Sequence, residues 1–163
     1  MRDFVKSQLV QLVREKFPNA NCIAGVATAG IPHGAMVADA LGLPMVYVRD
    51  KPKGHGMQNT IEGRLPENPR VVVIEDVIST GKSSLKAVDD LRAAGAQIEG
   101  MAAIYTYEFE LAKERFSEYQ VPLYTITSYS ELIPVAVSAG YVSSDYMQTL
   151  SEWRNDPANW SVK

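Results

Sequence analysis

The sequence predicts an α/β protein with a central, mainly parallel sheet flanked by helices. Two observations carry that prediction. Short apolar runs with strand character alternate with segments of helical periodicity along almost the whole chain, the pattern of strand–helix–strand units. Several of the strands also run into polar turns rich in Gly, Ser, Thr or Lys. An open parallel sheet places its ligand loops there, at the carboxyl ends of the strands. At 163 residues the chain suits one domain with a single core, and we read residues 1–163 as that domain.

The elements follow in order. Phe4, Val5, Leu9, Leu12, Val13 and Phe17 recur at helical spacing, and Pro18 ends that helix. CIAGVA (22–27) reads as a buried strand, followed by the Gly-rich turn TAGIPHG. A helix over 32–41 stops at Gly42, and PMVYV (44–48) is the second strand. From Arg49 to Arg64 the text becomes polar, with Met57 and Ile61 as its only aliphatic or Met side chains. We read it as a long functional loop. VVVIE (71–75) is the third strand and 83–94 its helix, closed by Gly95. IEGMAAIYTY (98–107) is the fourth strand and EFELAKERFSEY its helix, and PLYTIT is the fifth strand. Helices near 129–139 and 144–153 precede an irregular tail, NDPANWSVK. The loops leaving the first, second and third strands are expected to converge on one cleft.

Composition removes several function classes. The net charge of -3 provides no bulk attraction to nucleic acid or to an anionic membrane. No apolar run reaches the roughly 18–20 residues a membrane helix needs, and the N-terminus has no signal-peptide core. The single cysteine, Cys22, lies in an apolar run and reads as an inert buried thiol in a reducing, cytoplasmic protein.

The chemistry concentrates in VVVIEDVISTGKSS (71–84). Its GKS resembles the end of a nucleotide-binding P-loop, but that motif needs a glycine five positions before Gly81, where this chain has Asp76. A different pairing fits. Backbone N–H groups at 79–84 and the positive end of the following helix hold a phosphate, and the hydroxyls of Ser79, Thr80, Ser83 and Ser84 add donors. The adjacent carboxylates Glu75 and Asp76 need neutral hydroxyls or a metal. A sugar phosphate supplies both partners at once.

An apolar strand, two acids and then S/T-x-G-x-S/T resemble the phosphoribosyl-pyrophosphate motif of type I phosphoribosyltransferases. VRDKPKGHGMQNTIEGR resembles the catalytic loop of the orotate phosphoribosyltransferases among them. IAGVATAGIPHGAMVADALGLPMVYVR and SEWRNDPANW are similar to that family as well, so the resemblance spans nearly the whole chain. It implies a type I phosphoribosyltransferase fold and transfer of ribose 5-phosphate from phosphoribosyl pyrophosphate to orotate, with Mg2+ bridging pyrophosphate and ribose oxygens. By the same resemblance, Glu75 and Asp76 hold the ribose, Thr80, Gly81, Lys82 and Ser83 form the 5-phosphate loop, and Val77, Ile78 and Ser79 complete the phosphoribosyl-pyrophosphate site. Ser79 also touches orotate. Thr28, Ala29 and Gly30 form the pyrophosphate loop through their backbone. Arg49, Lys53 and His55 contact pyrophosphate as the catalytic set, in a loop that closes over the neighbouring subunit's site. A homodimer with shared sites is therefore expected.

The chain departs from the family in places. Ala29 and Asp50 stand where some members carry lysine, and Glu108 is nearest to an orotate-contacting arginine. His33 reads as structural or surface. The N-terminal segment that covers orotate in the family is expected to be missing ahead of Met1, so phosphoribosyl-pyrophosphate binding should survive its loss better than orotate binding. A phosphoribosyltransferase for another base, or a non-catalytic phosphoribosyl-pyrophosphate-binding regulator, are the alternative readings.

Overall fold

CIAGV has no polar side chain on either face, so a strand built from it must be covered on both sides. In the computed structural model, which describes residues 1–50 and 60–161, this stretch is β1 (Cys22–Val26), buried at every position. Then come β2 (Met45–Val48), β3 (Ile61–Glu62), β4 (Arg70–Ile78), β5 (Gln97–Thr106) and β6 (Leu123–Ser128). Among the described residues they form one six-stranded sheet in the order β3-β2-β1-β4-β5-β6. All neighbours are parallel except β2 and β3. The mainly parallel α/β architecture expected from the sequence is borne out.

Alternation along β4 sorts the core into two layers. Val72 and Ile74 pack with Ile23 and Ala102 beneath α1 (Arg2–Lys16) and α2 (Gly30–Leu41), which contribute Leu9, Val13 and Val37. Val71 and Val73 pack with Ala24, Met101 and Ala103 on the opposite face. There α3 (Lys82–Ala93) and α4 (Glu110–Glu118) contribute Leu85, Val88, Leu91, Ala112 and Phe116. Phe4, expected in the core stripe of α1, is 60% exposed. Cys22 is fully buried, and burial pushes its thiol up to about 11, so it is a poor nucleophile.

Two boundaries differ from the sequence reading for a tertiary reason. The polar 49–64 segment contains β3, because Ile61 is buried and pairs with Val48 at the sheet edge. The third strand does not end at Glu75 but runs through the acid pair to Ile78, since β5 continues beside it to Thr106.

Beyond β6, α5 (Tyr129–Ser138) and α6 (Met147–Asn155) are tied to the end of β5. Trp153 meets Tyr107, Phe109 and Tyr129 with ring centroids 5.6–5.8 Å apart. The Glu108 carboxylate accepts the Ser130 N–H at 2.8 Å, in the first turn of α5, and lies 3.3 Å from Arg154. These bonds and the nearby cations hold its carboxyl below the usual range despite partial burial. No helix among the described residues is long and apolar enough to cross a membrane.

Candidate active site

At the carboxyl end of the sheet β4 loses one neighbour. Its pairing with β1 ends at Gly25–Ile74, while pairing with β5 continues to Ile78–Thr106. The acid pair occupies this half-open edge. Glu75 falls on the α3 side and is 6% exposed. Ser84, in the first turn of α3 and also buried, donates its hydroxyl to Glu75 Oε1 at 2.9 Å. The Asp76 N–H donates to Oε2 at 3.3 Å, and Asp76 itself stays half-buried. The two carboxylates therefore are not equivalent, although the sequence treats them as one pair. Ser84, expected to face a phosphate, spends its hydroxyl on Glu75 instead.

Burial pushes the Glu75 carboxyl up to about 7; the Ser84 bond opposes this shift, and the neighbouring Asp76 charge adds to it. A carboxyl whose folded value lies above its unfolded one contributes stability that is fully present below pH 4.5 and lost as pH rises through about 7. We expect wild-type stability, relative to Glu75→Gln, to fall by about 2 kcal/mol between about pH 5.5 and pH 8. Urea unfolding at both pH values measures this difference, and parallel pH profiles for the two proteins would refute the assignment.

The loop after β4 is shaped by one glycine. Gly81 has φ +73°, and a Cβ on it would lie 2.8 Å from the Phe116 ring. Only glycine meets both constraints at once. It caps α3, whose first turn receives no side-chain cap, so the N–H groups there present partial positive charge to the space in front of the helix. That space is a cleft of about 580 Å³, lined by Val77, Ser79, Thr80, Gly81, Lys82 and Ser83 together with Asp50 from the end of β2. Ser84, Lys86, Asp89 and Tyr119 complete its wall. The side chain of Ile78 is fully buried in the core, so this residue can meet a ligand only through its backbone.

Thr28 and Ala29 are exposed, while Gly30 is buried at the start of α2. A Cβ on Gly30 would lie 2.5 Å from the Ile74 carbonyl and 3.3 Å from Glu75 Oε2. Absence of a side chain at Gly30 thus brings this loop against Glu75, on a different side from the 79–84 cleft, which none of the three residues lines. Of the expected catalytic set, Arg49 is placed at the base of its loop. Its N–H bonds the Thr60 carbonyl at 2.8 Å and its guanidinium lies 3.2 Å from Glu62 on β3. Lys53 and His55 lie outside the described residues. His33 is half-buried in the first turn of α2, with Nδ1 buried and unpaired among the described residues.

Sequence reasoning missed the contacts that α4 makes with the loop. Arg115 Nη1 donates to the Thr80 carbonyl at 2.9 Å, beside the Phe116 ring that meets Gly81. No local signal links residues so far apart. Ser84 was more accessible to inspection, since Ser84, Val88 and Leu91 share the spacing of the buried stripe of α3.

The sequence profile of the phosphoribosyl transferase domain matches residues 4–139. The chain belongs to the phosphoribosyltransferase family. It is 52% identical over 159 residues to the orotate phosphoribosyltransferase of Cytophaga hutchinsonii, covering 98% of this chain and 76% of that protein. It is 49% identical over 160 residues to the orotate phosphoribosyltransferase of Listeria monocytogenes, covering 98% and 77%. Among solved structures, the orotate phosphoribosyltransferase of Aeropyrum pernix superposes with a TM-score of 0.75 at 29% identity, covering 87% of this chain and 77% of that one. Leishmania donovani UMP synthase shares the fold with a TM-score of 0.77 at 20% identity, over 93% of this chain and 32% of that one. The family resemblance and the phosphoribosyltransferase fold expected from the sequence are both borne out.

Proposed function

We propose that residues 1–163 form one phosphoribosyltransferase domain that transfers ribose 5-phosphate from phosphoribosyl pyrophosphate to N1 of orotate. The ribose C1–N1 bond forms as the C1–oxygen bond to pyrophosphate breaks, giving orotidine 5′-phosphate on the route to UMP. The observation that carries this reading is the identity of about half the residues, along nearly the whole chain, with proteins of that name. The uncapped start of α3 facing a hydroxyl-rich cleft supports it.

In this reading the N–H groups at the start of α3 and the hydroxyls of Ser79, Thr80 and Ser83 bind the 5-phosphate. Lys82 adds charge. Asp76 accepts hydrogen bonds from the ribose hydroxyls, with Glu75 behind it, and Ser79 also faces orotate. The backbone at Thr28, Ala29 and Gly30 receives the pyrophosphate. Charge grows on that leaving group in an oxocarbenium-like transition state, so Arg49, Lys53 and His55 act by neutralising it rather than by proton transfer. Two copies of the chain share their sites in a cytoplasmic homodimer, each loop serving its neighbour.

Magnesium fits the donors present in one way. Among the described residues no three His, Cys, Asp or Glu side chains gather to hold a metal, and Glu75 is committed to Ser84. Of the acid pair, Asp76 keeps its carboxylate uncommitted among the described residues, which suits an ion that keeps water and substrate oxygens as its main ligands. When bound with the substrate, Mg2+ supplies charge neutralisation to the departing pyrophosphate.

The test is loss of orotate ultraviolet absorbance with phosphoribosyl pyrophosphate and Mg2+ present. Consumption that depends on phosphoribosyl pyrophosphate is expected. Phosphoribosyl-pyrophosphate-dependent consumption of a purine or uracil base, with orotate left untouched, would overturn the assignment of the base.

A further inference from the structure

The back of the loop that follows β4 is held by a charged residue with no ion-pair partner among the described residues. Arg115 of α4 is half-buried and donates to the Thr80 carbonyl at 2.9 Å. Among the described residues it makes no ion pair. It does not line the cleft in front of α3, whereas Thr80 and Gly81 do. A partly buried guanidinium is normally set against a carboxylate, so its use on a single main-chain oxygen calls for a reason.

The geometry of one peptide unit supplies that reason. The Thr80 carbonyl and the Gly81 N–H belong to the same planar unit, and in a trans unit they point in opposite directions. Tying the carbonyl back to α4 therefore turns the Gly81 N–H away from α4. A cation on the oxygen also polarises the unit and makes that N–H a stronger donor. Phe116, the next residue of α4, fills the space where a side chain on Gly81 would lie, which prevents the unit from rotating toward the helix. Two consecutive residues of α4 thus fix one peptide of the loop, one by charge and one by shape.

We propose that Arg115 is a positioning residue for sugar-phosphate binding, setting the orientation and donor strength of the Thr80–Gly81 peptide without touching the ligand. This deepens the reading of 79–83 as the 5-phosphate loop and rests on it. Its effect should be confined to the ligand that the loop holds.

The test uses the whole chain, with ribose 5-phosphate titrated by calorimetry and both substrates varied in the steady state. Arg115→Met is expected to weaken ribose 5-phosphate binding, and to raise KM for phosphoribosyl pyrophosphate, about tenfold. KM for orotate should stay within about twofold. Arg115→Lys, which keeps a cation, should recover part of the loss. Arg92→Met is the control. Arg92 donates to the Tyr119 carbonyl at 2.9 Å, so its loss removes a similar bond between α3 and the end of α4 without touching Thr80 or Gly81, and phosphoribosyl-pyrophosphate KM should change far less than in Arg115→Met. Should Arg115→Met not fold, Arg115→Gln keeps much of the side-chain packing and reads the same quantity.

Unchanged ribose 5-phosphate affinity in the Arg115 variants would overturn the proposal. So would an equal loss in Arg92→Met, which would reduce Arg115 to helix packing, or the absence of any recovery in Arg115→Lys. Failure of the wild-type chain to bind ribose 5-phosphate is a separate outcome. It would remove the phosphate-loop reading itself, and this proposal with it.

Discussion

Replacing Gly30 with alanine is expected to lower the melting temperature by roughly 10 °C, a loss of about 3 kcal/mol, and to abolish phosphoribosyl-pyrophosphate-dependent orotate consumption. The added methyl would sit 2.5 Å from the Ile74 carbonyl. That oxygen belongs to the interior of β4, where the strand is paired on both sides, so it has no easy direction of retreat. The start of α2 must move instead, taking Thr28 and Ala29 with it and pressing on Glu75, whose Oε2 lies 3.3 Å from the same methyl. Gly42→Ala is the matched comparison. Gly42 has φ +66° but nothing within 4 Å of its would-be Cβ, so its cost is backbone strain alone, about 1 kcal/mol. Thermal melts of both variants separate crowding from strain. A Gly30→Ala protein as stable as Gly42→Ala would mean that the loop does not pack against β4 as described.

Asp76→Asn is expected to weaken phosphoribosyl-pyrophosphate binding about 10- to 100-fold while changing folding stability by about 0.5 kcal/mol or less. Asp76 is half-buried at the open edge of β4, and among the described residues no lysine or arginine pairs with it. Its charge therefore supports little of the fold and is available to hydroxyl donors. Asparagine keeps one acceptor oxygen but loses the charge that strengthens those bonds. Calorimetric titration with phosphoribosyl pyrophosphate measures the first effect and urea unfolding the second. Unchanged affinity would remove the ribose-holding role. The contrast with Glu75→Gln is informative, since that neighbour is buried against α3 and its substitution should register chiefly in the pH dependence of stability.

These two acids show how far the site is legible in the text. Their presence after an apolar run, before a Ser-Thr-Gly-Lys-Ser turn, identifies a sugar-phosphate motif, because the required chemical types stand within a few residues of one another. Their inequality is not visible if the strand is taken to stop at Glu75. Once β4 continues to Ile78, alternation sends adjacent side chains to different environments, and Glu75 meets Ser84. The same holds for β3, whose two residues have strand character only through pairing with β2. Asp50 reads as a loop residue until the end of β2 brings it to the wall of the 79–84 cleft.

The amino-acid sequence by itself determined the order of the five parallel strands and their helices, the two-sided burial of β1 and a hydroxyl-rich turn at the start of α3. Those properties arise from apolar periodicity, glycine conformation and hydroxyl placement acting over a few neighbouring residues. Tertiary structure alone decided that Glu75 is pushed up to about 7 while Asp76 remains accessible. It also decided that Gly30 lies against β4 and that Arg115 reaches Thr80 across 35 positions of chain. Burial and long-range bonds depend on which segments the folded sheet brings together, and no local pattern encodes that distance.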